Sequence, residues 1–279
     1  MEKYIINGGN KLYGSVGIQS AKNSVLPILA AAVLTDGKVE IINVPQISDV
    51  KNMVKILSCL GCNAVYDGNN LTIDSSSADS CEIPSALAHE LRSSVFLLGS
   101  VISRFHSAKI AYPGGCDIGL RPVDLHLTGL KRLGVKITER NGYILCKCDK
   151  LVGNEVMLDC PSVGATENIM LAAVRAEGVT VIRNAAREPE IEDLQNFLNS
   201  IGAKINGAGS GTIVVEGVKK LTGGQYVPIP DRIEAGTFLI AAAMCGGEVA
   251  VEGARTENIS SLIHKLRENG CKISIKSDT

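Results

Sequence analysis

Apolar residues along the chain recur in two kinds of segment that alternate. The first kind is an Ala/Leu-rich stretch, a short turn and a Val/Ile-rich run, and its four copies are LPILAAAVLTDGKVEIINV, VFLLGSVISRFHSAKIAY, IMLAAVRAEGVTVIRNA and TFLIAAAMCGGEVAVEG. The Ala/Leu-rich stretch predicts a helix and the Val/Ile-rich run a strand. Because these helices are apolar on nearly every face, we expect them to be buried beneath strands.

The second kind of segment is a helix that ends in Leu-Gly or a close equivalent, followed by two short strands. Its copies are ILSCLGCNAVYDGNNLTI, GLKRLGVKITERNGYILC, FLNSIGAKINGAGSGTIVV and IHKLRENGCKISI. Glycines end these helices, and glycines also occupy the turns of the first kind of segment. Both positions suit a left-handed backbone conformation, which a side chain would disfavour. The glycines at the helix ends are Gly61, Gly134, Gly202 and Gly270. The glycines in the turns of the first kind of segment are Gly37, Gly178 and Gly247, and the second copy of that segment has Ser107 at this place.

Together the two series give a unit of helix, strand, helix, strand and strand that repeats about every 70 residues. A helix ending in Leu-Gly is common by itself, but four copies in two synchronised series are not. The pattern therefore predicts an α/β protein built from similar units that pack around shared cores.

Composition fits this class and narrows the function. Hydrophobic residues make up 45% of the chain and aromatic residues 4%, with no Trp, which favours layered α/β packing. The 28 basic and 29 acidic residues nearly balance, so no nucleic-acid partner is predicted. Residues 1–9 lack a signal-peptide pattern, and the longest apolar run, 25–34, is too short to span a membrane. We expect a soluble, cytoplasmic protein.

The nine cysteines are odd in number and most lie in apolar runs, which is typical of reduced cytosolic thiols. Cys59 and Cys62 form a CxxC pair, and Cys146 and Cys148 a CxC pair. Neither pair has a nearby His partner or the spacing of a zinc site, so no metal is predicted.

Cys116 differs, because it lies in the polar, glycine-rich stretch AYPGGCDIGLRPVDLH. A thiol becomes reactive where it is exposed and close to positive charge. Asp117 opposes this and Arg121 favours it. The spacing alone leaves two readings open, a reactive thiol and an inert surface thiol.

Polar or charged residues also stand at the start of each Ala/Leu-rich helix. Helix N-termini attract anions through their free backbone N–H groups and the helix dipole. An anion site would form if several of these starts faced one cleft, whereas the alternative is an ordinary cap beside a solvated Lys. The four starts are Lys22-Asn23, residues 90–94, residues 162–166 and residues 231–234.

These residues together resemble the UDP-N-acetylglucosamine 1-carboxyvinyltransferase family of the enolpyruvyl transferase superfamily. The resemblance runs along the whole chain, on GIQSAKNSVLPILAA, HELRSSVFLLGS, PGGCDIGLRPVDLHL, PSVGATENIMLAA and PDRIEAGTFLIAAA. The cysteine loop followed by RPVDLH separates this family from the related shikimate-pathway enzyme.

The resemblance implies transfer of the enolpyruvyl group of phosphoenolpyruvate to the 3′-hydroxyl of UDP-N-acetylglucosamine. This is the first committed step of peptidoglycan synthesis, and it needs no metal or redox cofactor. By the same resemblance, Cys116 and Lys22 are the expected catalytic residues. The expected substrate-binding residues are Lys22, Asn23, Arg92, Arg121, Pro122, Val123, Asp124, Leu125, Ser162, Val163 and Gly164.

The family fold that the resemblance implies is an inside-out α/β barrel with six units in two domains. Four units are expected here: a complete three-unit domain over residues 22–228, and an incomplete second domain from residues 1–21 and 229–279. The family's general base would lie in the missing part, and we expect exposed apolar surface where further units would pack. The alternative function is a truncated paralogue without turnover, or a UDP-sugar-binding fragment.

Overall fold

A computed structural model describes residues 3–5, 7–114 and 123–276. The chain divides into two compact units, a larger one of residues 22–228 and a smaller one of residues 1–21 with 229–279. The first strand, β1 (Leu12–Gly17), belongs to the smaller unit.

The larger unit repeats the order helix, strand, helix, strand, strand, with short additions between the copies. The first copy is α1 (Lys22–Ala32), β2 (Lys38–Ile41), α2 (Ser48–Cys59), β3 (Asn63–Asp67) and β4 (Asn70–Asp74). The second is α3 (Ser85–Glu90), a 3₁₀ segment called here the Arg92 turn (Arg92–Phe96), α4 (Leu97–Phe105), β5 (Ser107–Ala111), α5 (Asp124–Arg132), β6 (Lys136–Arg140) and β7 (Tyr143–Lys147). After β8 (Glu155–Met157) the third is α6 (Val163–Ala173), β9 (Val179–Arg183), α7 (Pro189–Ser200), β10 (Lys204–Asn206) and β11 (Thr212–Glu216), followed by β12 (Gly224–Tyr226).

The core of the larger unit is formed by the Ala/Leu-rich helices α1, α4 and α6, of which α4 packs against both of the others. Their buried stretches are residues 24–32, 97–103 and 165–173. The prediction that these three helices are buried is confirmed. Small residues allow the close approach, since a Cβ on Gly99 of α4 would collide with the backbone of Asn168 of α6.

Three sheets surround these helices, in the strand orders β12-β2-β4-β3, β5-β7-β6 and β10-β11-β9-β8. In each sheet, the first strand of one copy pairs in parallel with a segment that follows the preceding copy in the sequence. Glu82 bridges to Lys109 of β5, β8 pairs with β9, and β12 pairs with β2. Because β12 follows the third copy and β2 belongs to the first, the three copies close into a ring.

The glycine predictions hold with one exception. Positive φ angles, from 86° to 109°, occur at Gly61, Gly134, Gly178, Gly202, Gly247 and Gly270. Gly37 is the exception, because its φ lies outside the left-handed region. A Cβ at Gly37 would lie 3.2 Å from the backbone N of Gly223, so glycine serves close packing there. In the second copy the left-handed residue is His106, with φ of 56°, next to the expected Ser107.

The smaller unit pairs β1 in parallel with β13 (Gly247–Glu252) and contains α8 (Arg232–Cys245), a 3₁₀ segment (Thr256–Ile259) and α9 (Ser260–Glu268). The expected strands after α9 are not formed, since residues 271–276 carry no strand. A strand requires a neighbour with free backbone groups, and these residues pair with none in the described part of the chain.

Helix α8 also departs from its sequence pattern. It has the composition of the three core helices, yet only Ala235 and Gly236 are buried. Ile233 and Met244 are 55% and 82% exposed. The prediction of a buried fourth helix is therefore wrong, and apolar side chains of α8 are exposed. Among the described residues, no helix combines the length and the apolar character that crossing a lipid bilayer requires.

Candidate functional site

Lys22 is the first residue of α1, as its position before the Ala-rich run predicted, and Asn23 follows it. The Lys22 Nζ lies 3.0 Å from Oδ2 of Asp49, which stands in the first turn of α2. Both side chains are partly exposed, so a bound anion could reach Lys22. Asp49 was not predicted from the sequence, where its only signal is an acidic residue at the start of a helix.

Arg92 opens the Arg92 turn, a 3₁₀ segment that leads into α4. Its Nη1 lies 3.5 Å from the carbonyl oxygen of Pro113, and the N–H of Gly114 donates to the carbonyl of Ala88 at 3.1 Å. A Cβ on Gly114 would collide with the His89 carbonyl, so the chain lies close to the end of α3 there.

The cysteine loop follows this anchored stretch. Cys116, Arg121 and Pro122 lie outside the described residues.

Ser162 caps α6, because its Oγ accepts a hydrogen bond from the N–H of Ala165 at 3.3 Å. Val163 and Gly164 form the first turn, where backbone N–H groups have no partner within the helix. A Cβ on Gly164 would lie 3.0 Å from the Phe96 ring and 3.1 Å from the His126 ring. Glycine at this position therefore lets α6 begin in contact with the Arg92 turn and with α5.

Val123 precedes α5, and Asp124 and Leu125 are its first two residues. The next residue, His126, is buried, and burial lowers its pKa to about 4, with a further decrease from the Arg92 guanidinium and an opposing effect of Asp124. His126 is therefore neutral at pH 7.

The structure thus brings together three of the predicted segments: Arg92, residues 123–125 and residues 162–164. Lys22 and Asn23 stand on α1, which also contacts the Arg92 turn. A guanidinium and the starts of α5 and α6 in one part of the larger unit form an arrangement suited to an anionic ligand.

Two buried polar residues of α6 were missed by sequence analysis. Asn168 contacts both the Arg92 turn and α5 through its side-chain amide. Neither carboxyl oxygen of Glu167 has a hydrogen-bond partner among the described residues. Burial, and secondarily Glu190 and Glu188, raise the pKa of Glu167 well above its usual value. The sequence signal was Thr-Glu-Asn inside an otherwise apolar helix.

A solvent-accessible hollow of about 480 Å³ lies elsewhere, on the β1–β13 sheet, lined by Tyr13, Gly14, Ser15, Glu248 and Ala250. It contains none of the predicted site residues and brings no cation to its wall. Clusters of three or more His, Cys, Asp or Glu that could hold a metal ion are absent from residues 3–5, 7–114 and 123–276.

Comparison with known proteins agrees with this picture. The family model of EPSP synthase (3-phosphoshikimate 1-carboxyvinyltransferase) matches residues 6–279. The chain belongs to the enolpyruvyl transferase family. This enolpyruvyl transferase is 56% identical, over 278 residues, to UDP-N-acetylglucosamine 1-carboxyvinyltransferase 2 of Caldanaerobacter subterraneus subsp. tengcongensis, covering 100% of the chain and 67% of that relative. It is 50% identical to UDP-N-acetylglucosamine 1-carboxyvinyltransferase 1 of Symbiobacterium thermophilum, covering 98% of the chain and 63% of that relative.

A solved structure, the enolpyruvyl transferase NikO from Streptomyces tendae, matches with a TM-score of 0.86 at 25% identity. The match covers 98% of this chain and 66% of NikO. The expected mixed α/β enolpyruvyl transferase fold is therefore confirmed. This chain spans about two thirds of the length of the relatives that it matches.

Proposed function

We propose that this chain transfers the enolpyruvyl group of phosphoenolpyruvate to the 3′-hydroxyl of UDP-N-acetylglucosamine, with release of phosphate. The observation that carries the proposal is the grouping of Arg92, residues 123–125 and residues 162–164 in one part of the larger unit. The names of relatives that are about half identical along the whole chain support the choice of acceptor. Such a reaction would supply peptidoglycan synthesis in the cytoplasm.

Each proposed role follows from the chemistry of the residue. Lys22 would hold the phosphate and carboxylate of phosphoenolpyruvate at the start of α1, and Asn23 beside it would contact the sugar. Arg92 and Arg121 would neutralise the anionic groups of the substrates. Residues 121–125 and 162–164 would bind the UDP-sugar, where the free N–H groups at the start of α6 suit a phosphate.

The reaction is an addition followed by an elimination. In the addition, the methylene carbon of phosphoenolpyruvate gains a proton, for which we propose Cys116 as the donor, and the sugar oxygen bonds to the central carbon. In the elimination, the new methyl group returns a proton to the Cys116 thiolate, and the bond from the central carbon to the phosphate oxygen breaks, which releases phosphate. The proton of the sugar hydroxyl passes to a general base, a role that we assign to no residue of this chain.

Phosphate release tests the proposal. We expect release from the purified chain only when phosphoenolpyruvate and UDP-N-acetylglucosamine are both present, and a loss of release in Cys116→Ser. Shikimate 3-phosphate in place of the UDP-sugar should give none. Saturable UDP-sugar binding without release would contradict turnover by this chain, and the absence of both signals would contradict the proposed substrate.

A further inference from the structure

The side-chain amide of Asn168 is completely buried in the larger unit and uses all of its hydrogen-bonding hydrogens. Its Oδ1 accepts from the N–H of Gly99 at 2.6 Å. Its Nδ2 donates to the carbonyl oxygen of Val95 at 3.1 Å and lies 3.0 Å from Nδ1 of His126. An amide nitrogen has two hydrogens to donate, so both are taken up by these two acceptors.

The two backbone partners fix which way the amide faces. A backbone N–H can only donate and a carbonyl can only accept, so Oδ1 must face Gly99 and Nδ2 must face Val95. The second Nδ2 hydrogen then points to His126, whose Nδ1 must act as the acceptor. His126 therefore carries its ring proton on Nε2.

The three groups that Asn168 joins belong to the segments that carry the proposed substrate-binding residues. Val95 is part of the Arg92 turn, His126 follows Leu125 directly, and Asn168 lies one helical turn after Gly164 on α6. We propose that Asn168, together with His126, is a positioning group that fixes the Arg92 turn and the starts of α5 and α6 relative to one another for UDP-sugar binding. This inference rests on the proposed function.

The packing around His126 explains how the loss of its hydrogen bond to Asn168 would displace the binding residues. The His126 ring lies so close to Gly164 that a single added carbon there would approach it to 3.1 Å. A rotation of the ring would thus push against the first turn of α6, whose N–H groups are proposed to bind phosphate. The interior is close-packed and transmits such displacements.

Two substitutions of His126 separate positioning from direct contact. In His126→Asn the shorter amide oxygen can occupy the place of Nδ1 and accept from Asn168. In His126→Gln the longer amide reaches the place of Nε2 and leaves the Asn168 hydrogen without its acceptor. We expect His126→Asn to bind UDP-N-acetylglucosamine nearly as tightly as the wild type. We expect His126→Gln to raise the Kd roughly 10-fold or more, because a buried donor without a partner is costly.

Isothermal titration with UDP-N-acetylglucosamine measures these constants, with Leu130→Ala as the control. Leu130 is buried on the same helix α5, away from its start, so this variant loses stability without touching the amide network. Equal Kd values for His126→Gln and wild type would overturn the proposal. So would stronger weakening in His126→Asn than in His126→Gln, because only the longer amide keeps a group at the place of Nε2 and this order would indicate a contact through Nε2. Equal weakening in the two His126 variants would also overturn it, as would equal weakening in Leu130→Ala at a matched loss of thermal stability.

A measurement on the unsubstituted protein keeps the test valid if a variant fails to fold. Nitrogen-15 NMR of the histidine rings should show His126 with its proton on Nε2, and its signal should shift when the UDP-sugar is added. A proton on Nδ1 would overturn the proposal. A wild-type chain that binds no UDP-sugar would overturn the proposed function and the positioning role with it, whereas unchanged binding in the variants would overturn the positioning role alone.

Discussion

The burial of His126 makes a quantitative prediction about stability as the pH is lowered. A free His has a pKa of 6.5, and burial, together with Arg92, lowers the pKa of His126 to about 4 in the folded chain, against the smaller opposing effect of Asp124. Between these values the unfolded chain binds a proton that the folded chain does not. Stability is therefore complete above pH 6.5 and decreases as the pH falls from 6.5 towards 4.

The size of the effect follows from the gap between the two pKa values. At about 1.4 kcal/mol per pH unit, the gap corresponds to about 3 kcal/mol of unfolding free energy. This is a large part of the stability of an ordinary domain, which is about 5–15 kcal/mol. Protonation of Nδ1 would also put two donors, the Asn168 amide and the imidazolium N–H, opposite each other.

Urea unfolding followed by circular dichroism, at a series of pH values, provides the assay. His126→Asn is the reference, because it cannot titrate yet can keep an acceptor for Asn168. Carboxyl groups titrate in both proteins and cancel in the difference. We expect the free-energy difference between wild type and variant to be constant above pH 6.5 and to change by about 3 kcal/mol down to pH 4. A difference that stays constant within about 0.5 kcal/mol, the usual additivity error, would refute the reasoning.

Three further predictions concern the same unit. Gly129→Ala should lower the unfolding free energy by about 1–3 kcal/mol, because the added carbon would lie 2.5 Å from Cγ1 of Ile169. The double variant with Ile169→Ala should lose less unfolding free energy than the sum of the two single variants. Additive losses in this double-mutant cycle would contradict the contact. Glu167→Gln should stabilise the fold more at pH 8 than at pH 5, as measured by urea unfolding. The reason is that the raised pKa of Glu167 makes the wild type lose stability as the pH rises. An equal gain in unfolding free energy at the two pH values would contradict this. Lys22→Gln should lower kcat/KM for phosphoenolpyruvate about 10- to 100-fold. It should change the unfolding free energy by less than about 1 kcal/mol, since the ion pair with Asp49 is partly exposed, and a larger loss of stability would point to a structural role instead.

The sequence predicts the parts of the fold that depend on local chemistry. Helix starts at Lys22, Ser162 and Asp231 follow from short polar side chains or charges ahead of apolar runs, and the structure has helices beginning at or beside each. Left-handed glycines at helix ends follow equally from local backbone sterics. Both signals require no knowledge of which other segments lie nearby.

Burial and hydrogen-bond partners could not be predicted, because they depend on distant segments. Helix α8 resembles α1, α4 and α6 in composition, yet it is exposed because no described segment covers it. Glu167 and Asn168 are adjacent polar residues in the same apolar helix, but among the residues that the structure describes only the side chain of Asn168 has hydrogen-bond partners, at Gly99, Val95 and His126. The sequence of α6 gives no sign of which one does.

The ring closure of the larger unit has a consequence for its synthesis. Strand β2 pairs with β12 in a register that places Ile41 opposite Tyr226. The Gln225 side chain donates a hydrogen bond to the Glu40 carboxylate across this pair, and these two residues are 185 positions apart in the sequence. At about 5–20 residues per second, a ribosome needs roughly 10–40 s between these two points. During that interval one edge of the first sheet has no strand to cover it, and such an edge can pair with other chains. A nascent chain of this protein is thus most exposed to misassembly until the residues of β12 have left the ribosome.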